Sequence, residues 1–129
     1  MKITIPGDPV AQGRPRFYRG RVVDPPKSKA WKEAARLHMK AACKNPIMKP
    51  MPVELVVHVC FKRPKSSKPD DRWKTTKPDL DNILKAVMDA GNGILWEDDS
   101  QVVTISASKF QAKEEPGVTL WFYEVGDGH

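Results

Sequence analysis

The chain has 129 residues, of which 40% are hydrophobic, and this length and apolar content predict one globular domain over residues 1–129. The two cysteines, Cys43 and Cys60, form no closely spaced ligand motif, which argues against a thiolate zinc site and a disulfide framework. No long apolar run is present, which argues against a membrane span and predicts a cytoplasmic protein. The net charge of +6 combines 19 basic and 6 acidic side chains in residues 1–78 with 3 basic and 10 acidic ones in residues 79–129, a segregation that favours nucleic acid as a partner over a merely solvated basic face.

The N-terminal residues predict a short strand followed by a basic hairpin. Residues 2–5 alternate polar and apolar side chains until Pro6, as a strand does. Residues 13–23 have Gly20 where two extended arms would turn back on each other. Phe17 and Tyr18 interleave with four candidate DNA-binding arginines, Arg14, Arg16, Arg19 and Arg21. This mixture suits phosphate contacts and base stacking, although an exposed hairpin whose aromatic rings only pack on the sheet fits equally well.

The next segment predicts a helix over residues 29–44 with Ser28 as its N-cap. The apolar arc of this helix is predicted to contain Ala30, Trp31, Ala34, Leu37, His38, Ala41 and Ala42. On the opposite face Lys32, Arg36 and Lys40 form a stripe with a four-residue spacing. We take Lys32 and Arg36 as candidate DNA contacts, although such stripes are more often simply solvated, and we expect His38 to be packed rather than a ligand.

A regular alternation of apolar residues over 53–62 predicts the clearest strand of the chain. Residues 63–77 are basic and have no periodicity, which predicts a mobile loop ending at Lys77, another candidate DNA contact. The remaining residues predict a helix over 79–90, a glycine turn at 91–93, and strands near 101–110 and 117–125 joined by a hairpin turn at Pro116 and Gly117. This element order predicts an α+β fold: a mixed, largely antiparallel sheet of about four to five strands with two main helices.

The predicted helix over residues 79–90 has an apolar face and a charged face. Its charged face has Asp81 and Lys85 four residues apart, and Asp79 lies at the helix start, immediately after Pro78. These residues have ordinary structural explanations, because an aspartate at a helix start is a common N-cap and an Asp81–Lys85 ion pair is commonplace.

A second acidic cluster, Glu97, Asp98 and Asp99, follows the glycine turn. Adjacent carboxylates repel one another unless a cation lies among them. Mg²⁺ prefers oxygen ligands and is usually held by one or two carboxylates together with a substrate phosphate. We therefore expect Asp79, Asp81 and Asp99 to converge on a divalent cation that lets a phosphodiester approach and be hydrolysed, with Lys85 beside it to stabilise the developing charge.

The two acidic segments together resemble a known family. The run Pro-Asp-Leu-Asp-Asn-Ile-Leu-Lys-Ala, then Asp-Ala, then Trp-Glu-Asp-Asp-Ser-Gln-Val is similar to the RusA family of Holliday-junction resolvases, which bacterial and bacteriophage genomes carry. The opening Ile-Pro-Gly-Asp-Pro-Val and the Gly-Arg-Pro-Arg segment also resemble the family's first strand and basic segment, so the likeness covers most of the chain. The acidic motif is its specific part.

The resemblance implies a homodimer that nicks two symmetry-related strands of a four-way DNA junction with Mg²⁺, or Mn²⁺ as a substitute. Asp79 and Asp81 match the paired metal aspartates of the family, Asp99 matches its second acidic element, and Lys85 matches its catalytic lysine, whereas Asp98 matches less clearly. The alternative is a noncatalytic, basic nucleic-acid-binding module whose aspartates only cap a helix and shape a turn. The dimer surface, which the resemblance leaves open, could include part of the apolar group at 120–123.

Overall fold

The computed structural model describes residues 1–14, 16–68 and 70–126, with the backbone but not the side chain of Arg16. The first half contains β1 (Lys2–Pro6), β2 (Arg16–Tyr18), β3 (Arg21–Val23), α1 (Pro26–Ala42) and β4 (Val53–Lys62). The second half contains α2 (Leu80–Gly91), a 3₁₀ helix (Asp99–Gln101), β5 (Val102–Ala112) and β6 (Gly117–Glu124). The predicted strand bounds are close to the observed ones, and the strand predicted over 53–62 is confirmed.

Four strands form the main sheet in the order β1-β6-β4-β5. The pairs β1–β6 and β6–β4 are antiparallel, β4–β5 is parallel, and β2 and β3 form a separate antiparallel hairpin. With two helices and a mixed, largely antiparallel four-stranded sheet, the α+β prediction is confirmed. The hairpin turns at Arg19 and Gly20, which both have positive φ, as the sequence predicted for Gly20.

The hydrophobic core lies between the two helices and one face of the sheet. Alternate residues of β4, among them Leu55, Val57 and Val59, are fully buried, and they share this face with Leu120 of β6 and Ile5 of β1. Because side chains alternate across a strand, the residues between them point to the opposite face. The core residues that α2 contributes are Ile83, Ala86, Val87 and Ala90, as its predicted apolar face requires.

The prediction of a final hairpin at Pro116 and Gly117 is wrong. Strands β5 and β6 are not neighbours, because β4 lies between them and pairs with both. The segment 113–116 therefore crosses over the end of β4. Proline and glycine mark where the chain reverses direction, but they do not determine which strand it pairs with next.

The predictions for α1 are wrong in two respects. The helix begins at Pro26, and Ser28 lies inside it, where its buried hydroxyl accepts a hydrogen bond from the Gly13 N–H (2.8 Å) and donates to the Ala11 carbonyl (3.3 Å). Its buried face consists of Ser28, Trp31, Ala35 and Met39. Of the predicted arc, Leu37 is 70% exposed, and Ala34 and His38 are exposed too. A proline at the first helical turn starts the helix before the residue that resembled a cap.

The basic loop predicted to be mobile is attached to the outer edge of β5. The Gln111 N–H donates to the Arg72 carbonyl (2.8 Å), and the Arg63 N–H donates to the Ala112 carbonyl (2.8 Å). Trp73 forms an isolated antiparallel bridge with Phe110. Both cysteines are free thiols, with Cys43 buried and Cys60 half-buried. Within the described ranges, neither helix is long and apolar enough to span a membrane.

Replacing Ser28 by Ala is expected to lower the free energy of unfolding by about 1–3 kcal/mol, because it leaves the Gly13 N–H without its partner. Urea denaturation followed by circular dichroism measures this change. The exposed Ser66 is the matched control, and its replacement by Ala is expected to change stability by less than about 0.5 kcal/mol. Equal effects of the two substitutions would contradict the structural role of Ser28.

Candidate functional site

The start of α2 presents two exposed carboxylates. Asp79 is the residue before the helix and Asp81 lies in its first turn, while Lys85 follows one turn later on the same exposed side. The helix buries its other face through Ile83 and Val87, so its packing leaves these three charged groups on the surface. The two faces that the sequence predicted for this helix are confirmed.

The carboxylates do not take the ordinary structural roles available to them. Asp79 occupies the N-cap position, but its side chain makes no capping hydrogen bond. Asp81 accepts one local hydrogen bond, from the Asn82 N–H at 2.9 Å. Among the described residues none of the three ion pairs joins Asp81 to Lys85. The pairing of Asp79 with the highly exposed Lys77 (3.0 Å) is a surface contact of small expected energy.

Lys109 of β5 positions the backbone immediately before α2. Its ammonium group donates to the carbonyl oxygens of Thr76 (2.7 Å) and Pro78 (2.9 Å). Because Pro78 directly precedes Asp79, these two bonds fix the start of α2, and with it both carboxylates, relative to the sheet. Lys109 could not be selected from the sequence, because a lysine in a strand is ordinarily a solvated residue.

The second acidic cluster divides into two structural carboxylates and one that has no partner. Glu97 accepts a hydrogen bond from the Lys49 N–H (2.7 Å). Asp98 caps the 3₁₀ helix by accepting from the Ser100 N–H (3.1 Å), and hydrogen bonding from Ser100 holds the pKa of Asp98 below its usual range. Only the carboxylate of Asp99 has no hydrogen bond or ion pair with any residue that the structure describes. Backbone donors therefore stabilise the first two charges without a cation.

Two side chains of the same motif fix the acidic segment in place. Trp96 is fully buried, and its indole N–H donates to the Asn92 side chain (3.0 Å). The amide of Gln101 donates to the carbonyls of Ile47 and Met51 (both 3.1 Å) and accepts from the Asp98 N–H (3.0 Å). Asp99, whose carboxylate has no partner among the described residues, therefore lies between two buried residues that hold the segment in place. Sequence reasoning weighed only its acids and missed these anchors.

The predicted convergence of Asp79, Asp81 and Asp99 is not present in this structure. Over residues 1–14, 16–68 and 70–126 no three His, Cys, Asp or Glu side chains are grouped so that they could hold a metal ion. Asp99 lies before β5, whereas Asp79 and Asp81 lie at the start of α2, which Lys109 holds near the other end of that strand. The donor chemistry of Asp79 and Asp81 alone still fits a hard cation, because one or two carboxylates are the usual protein ligands of Mg²⁺.

Lys32, a candidate DNA contact, has partners within the protein. Its ammonium group binds the Asp24 carboxylate (2.7 Å) and the Gln12 side chain (2.8 Å), and it lies 3.7 Å from Asp89 of α2. Its side chain is only 14% exposed, so it joins the N-terminal segment, α1 and α2. Among the predicted DNA contacts whose side chains the structure describes, it is therefore the least accessible.

The other predicted DNA contacts are more accessible. Arg36 donates to the Asn92 carbonyl at the end of α2 (3.1 Å) from an exposed position. Arg14, Arg19 and Arg21 are exposed in or beside the β2–β3 hairpin, and the Arg19 guanidinium lies 5.4 Å from the Tyr18 ring centroid. The side chain of Arg16 lies outside the described residues. The role of these residues in DNA binding stays a prediction.

Comparison with known proteins identifies relatives over nearly the whole chain. A family model described as "Endodeoxyribonuclease RusA" matches residues 6–121. The chain is also 40% identical over 139 aligned positions to a protein of Bacillus subtilis (strain 168) described as "Uncharacterized protein YqaN", with 97% of this chain and 96% of that protein covered. Both matches include the two acidic segments.

The pKa of Asp24 lies below its usual value, chiefly because Lys32 donates a hydrogen bond to its carboxylate. Folding therefore favours the ionised form, and this contribution to stability is complete above a pH of about 4 and is lost as the pH falls through the lowered pKa. We expect Asp24→Asn to be less stable than the parent chain at pH 7, with a difference that shrinks at pH 3. Urea denaturation at both pH values measures it.

The exposed Asp8 provides the control for this experiment, and Asp8→Asn is expected to leave the unfolding free energy unchanged. A stability difference between Asp24→Asn and the parent chain that is the same at pH 7 and pH 3 would show that the charge of Asp24 is not what Lys32 stabilises.

Proposed function

Because the chain belongs to the RusA family of endodeoxyribonucleases, we propose that it resolves four-way DNA junctions, known as Holliday junctions, by hydrolysing one phosphodiester in each of two symmetry-related strands. The observation that carries this proposal is the state of Asp79 and Asp81: neither carboxylate caps α2 or pairs with Lys85 among the described residues. A noncatalytic binding module would have used them in those ways. Their exposure at a fixed point of the fold suits a catalytic role better.

Asp79 and Asp81 would hold the divalent cation, Mg²⁺ or Mn²⁺, because two exposed carboxylates at a helix start supply hard oxygen ligands. When bound, such a cation polarises the scissile phosphate and acidifies a water molecule. Lys109 contributes by holding the backbone before Asp79 in place, so that the two carboxylates meet the DNA at a constant position. Asp99, whose carboxylate has no partner among the described residues, is the third candidate ligand.

Lys85 would act directly on the phosphate. Its ammonium group has no ion-pair or hydrogen-bond partner in the described parts of the chain and lies one helical turn beyond Asp81. A free ammonium group at that position stabilises negative charge that develops on the phosphate oxygens in the transition state. A lysine already neutralised by Asp81 would supply less of this stabilisation.

The basic surface would bind the DNA backbone through counterion release. Lys77 is adjacent to the catalytic carboxylates, and Arg36 and the hairpin arginines Arg14, Arg19 and Arg21 are exposed on other segments of the basic part. Arg16 belongs to the same predicted set. Contacts of this kind position a duplex arm without reading its sequence.

The outer edge of β5 is the best candidate surface for a homodimer. On the side away from β4, residues 102–108 have no neighbouring strand among those described. They contain neither a charged residue nor a proline, the usual protection of an exposed strand edge. Val103 is 63% exposed and Ile105 is 41% exposed on this edge. Antiparallel pairing of two such edges about a two-fold axis normal to the sheet would put both helix layers, and both pairs of aspartates, on one side. That arrangement suits symmetric incision of one junction.

Asp81→Asn tests the catalytic assignment. The variant is expected to bind a labelled immobile four-way junction in EDTA as the parent chain does, but to cut it at least about 100-fold more slowly in Mg²⁺, because a metal ligand is lost. Asp99→Asn is expected to lower cleavage as well. Cleavage is followed on denaturing gels, and Mn²⁺ binding is followed by calorimetry.

Two substitutions provide controls. Asp8→Asn alters an exposed carboxylate remote in sequence from both acidic segments, and Asp98→Asn retains an oxygen that can cap the 3₁₀ helix. Both are expected to cut the junction at nearly the parent rate. Cleavage by Asp81→Asn at the parent rate would remove that residue from the mechanism and leave the noncatalytic module as the better explanation.

Val103→Lys tests the dimer surface, because a charge on an unpaired strand edge opposes pairing with a second copy. We expect the variant to be monomeric by light scattering at a concentration where the parent chain is dimeric, and to lose paired incision of the junction. Leu37→Lys places the same charge at an equally exposed apolar position on α1 and is expected to remain dimeric. If Val103→Lys retains the dimeric mass, the interface lies elsewhere.

A further inference from the structure

One face of the main sheet is not covered by either described helix. The side chains on this face alternate with the buried ones of β4 and β6, and they include His58 and Trp121. On β5 the same face includes Phe110, and Trp73 of the attached loop is paired directly opposite it. These four residues, which we call the ring row, come from four adjacent chain segments.

The ring row crosses the sheet almost continuously. The ring centroids of His58 and Trp121 are 4.9 Å apart, those of His58 and Phe110 are 6.3 Å apart, and both pairs meet edge to face. Because Trp121 is level with Val56 and Phe110 is level with Cys60, the row runs diagonally over four segments that are spaced at about 4.8 Å. Trp73 is 58% exposed, and His58 is exposed at the centre of the sheet.

Charges around the ring row favour a polyanion that lies across the strands. At one end the Lys2 ammonium group lies 5.8 Å from the Trp121 ring, and at the other the Arg72 guanidinium lies 5.0 Å from the Trp73 ring. Acidic residues lie near both ends of β4 and before Arg72 in the loop. Glu54 is at the start of β4 on the same face; burial raises the pKa of Cys60 near the end of β4, and the charge of Glu114 raises it further; Asp70 and Asp71 precede Arg72. The cations that contact the outer rings of the row therefore attract a negatively charged chain to it, whereas Glu54 repels one that continues past the start of β4.

We propose that the ring row binds an unpaired segment of DNA, with about two or three bases stacked on its rings and the backbone held by Lys2 and Arg72. The residues between the rings support this occupant. Five residues of this face bear hydroxyl groups suited to contacts with phosphate or sugar: Thr4, Thr104, Ser106, Ser108 and Thr119. Val56 and Cys60 of β4 lie on the same face.

The ring row is continuous with the proposed catalytic site. Trp73 lies six residues before Asp79, and the loop between them is bound to β5 through the Lys74 N–H (3.4 Å to the Lys109 carbonyl) and through Lys109 itself. A single strand that leaves the aspartates can follow this loop around the edge of β5 onto the uncovered face. The inference takes its substrate, DNA, from the proposed function, but binding can be measured where no cleavage occurs.

Binding of a fluorescein-labelled oligothymidylate in EDTA, measured by anisotropy, tests the proposal. Trp73→Ala and Trp121→Ala are each expected to weaken the affinity about tenfold, because each removes a stacking ring. Trp121→Phe retains a ring and is expected to recover most of the affinity. Leu37→Ala, an apolar truncation away from this face, is expected to bind as the parent chain does.

Each outcome decides the question. Unchanged oligothymidylate affinity in both tryptophan variants, with circular dichroism showing them folded, would overturn the proposal. If Trp121→Ala instead becomes monomeric by light scattering while its affinity is unchanged, the face binds a second copy and the proposal is also overturned. Ring-dependent binding by a chain that does not cut junctions would uphold the ring row and reject the nuclease function, so the two failures are distinguishable.

Discussion

The bonds from Lys109 to the carbonyls of Thr76 and Pro78 determine how the helical and sheet parts of the candidate site are arranged. A cation near the N-terminus of a helix is opposed by the helix dipole, so α2 itself does not favour this lysine. The two carbonyl acceptors offset that repulsion, and the negative charges of Asp79 and Asp81 reduce it further. The same lysine places the end of the basic loop against β5, which couples the loop, the helix start and the sheet edge.

Strong periodicity made β4 and both faces of α2 predictable, whereas the sequence predicted α1 as a helix but not its first residue or its buried face. Strand β4 alternates without interruption, and α2 has large aliphatic residues on one face only. In α1 the predicted arc rested on alanines, which fit either face, and on Leu37, which is exposed. The face that α1 buries, Ser28, Trp31, Ala35 and Met39, does recur at helical spacing, but it includes only two large apolar residues and a serine, so the alanines and Leu37 favoured another arc. Strand order was beyond the sequence because the parallel β4–β5 pair joins strands about 40 residues apart.

The candidate site was predictable to the level of residue type but not of individual role. The sequence could select Glu97, Asp98 and Asp99 as a group, because their mutual repulsion is a property of adjacent charges. Which of them is left without a partner depends on the Lys49 and Ser100 N–H groups, and these are placed by a bend and a 3₁₀ helix. The convergence of this cluster with Asp79 was an assumption about tertiary structure. The positions of the acidic residues along the chain carry no information about it.

The segregation of charge along the chain has a local counterpart at Lys77 and Asp79. Their ion pair is exposed, and pairs of this kind contribute only about 0–1 kcal/mol, so separating them costs little. Under the proposed function, an arriving phosphate would attract Lys77 and a divalent cation would attract Asp79. Each group would then exchange a weak solvated partner for a more highly charged one, and the exchange would keep the local charge balanced. An acidic site next to a basic loop can in this way receive DNA without first exposing an uncompensated cluster of carboxylates to it.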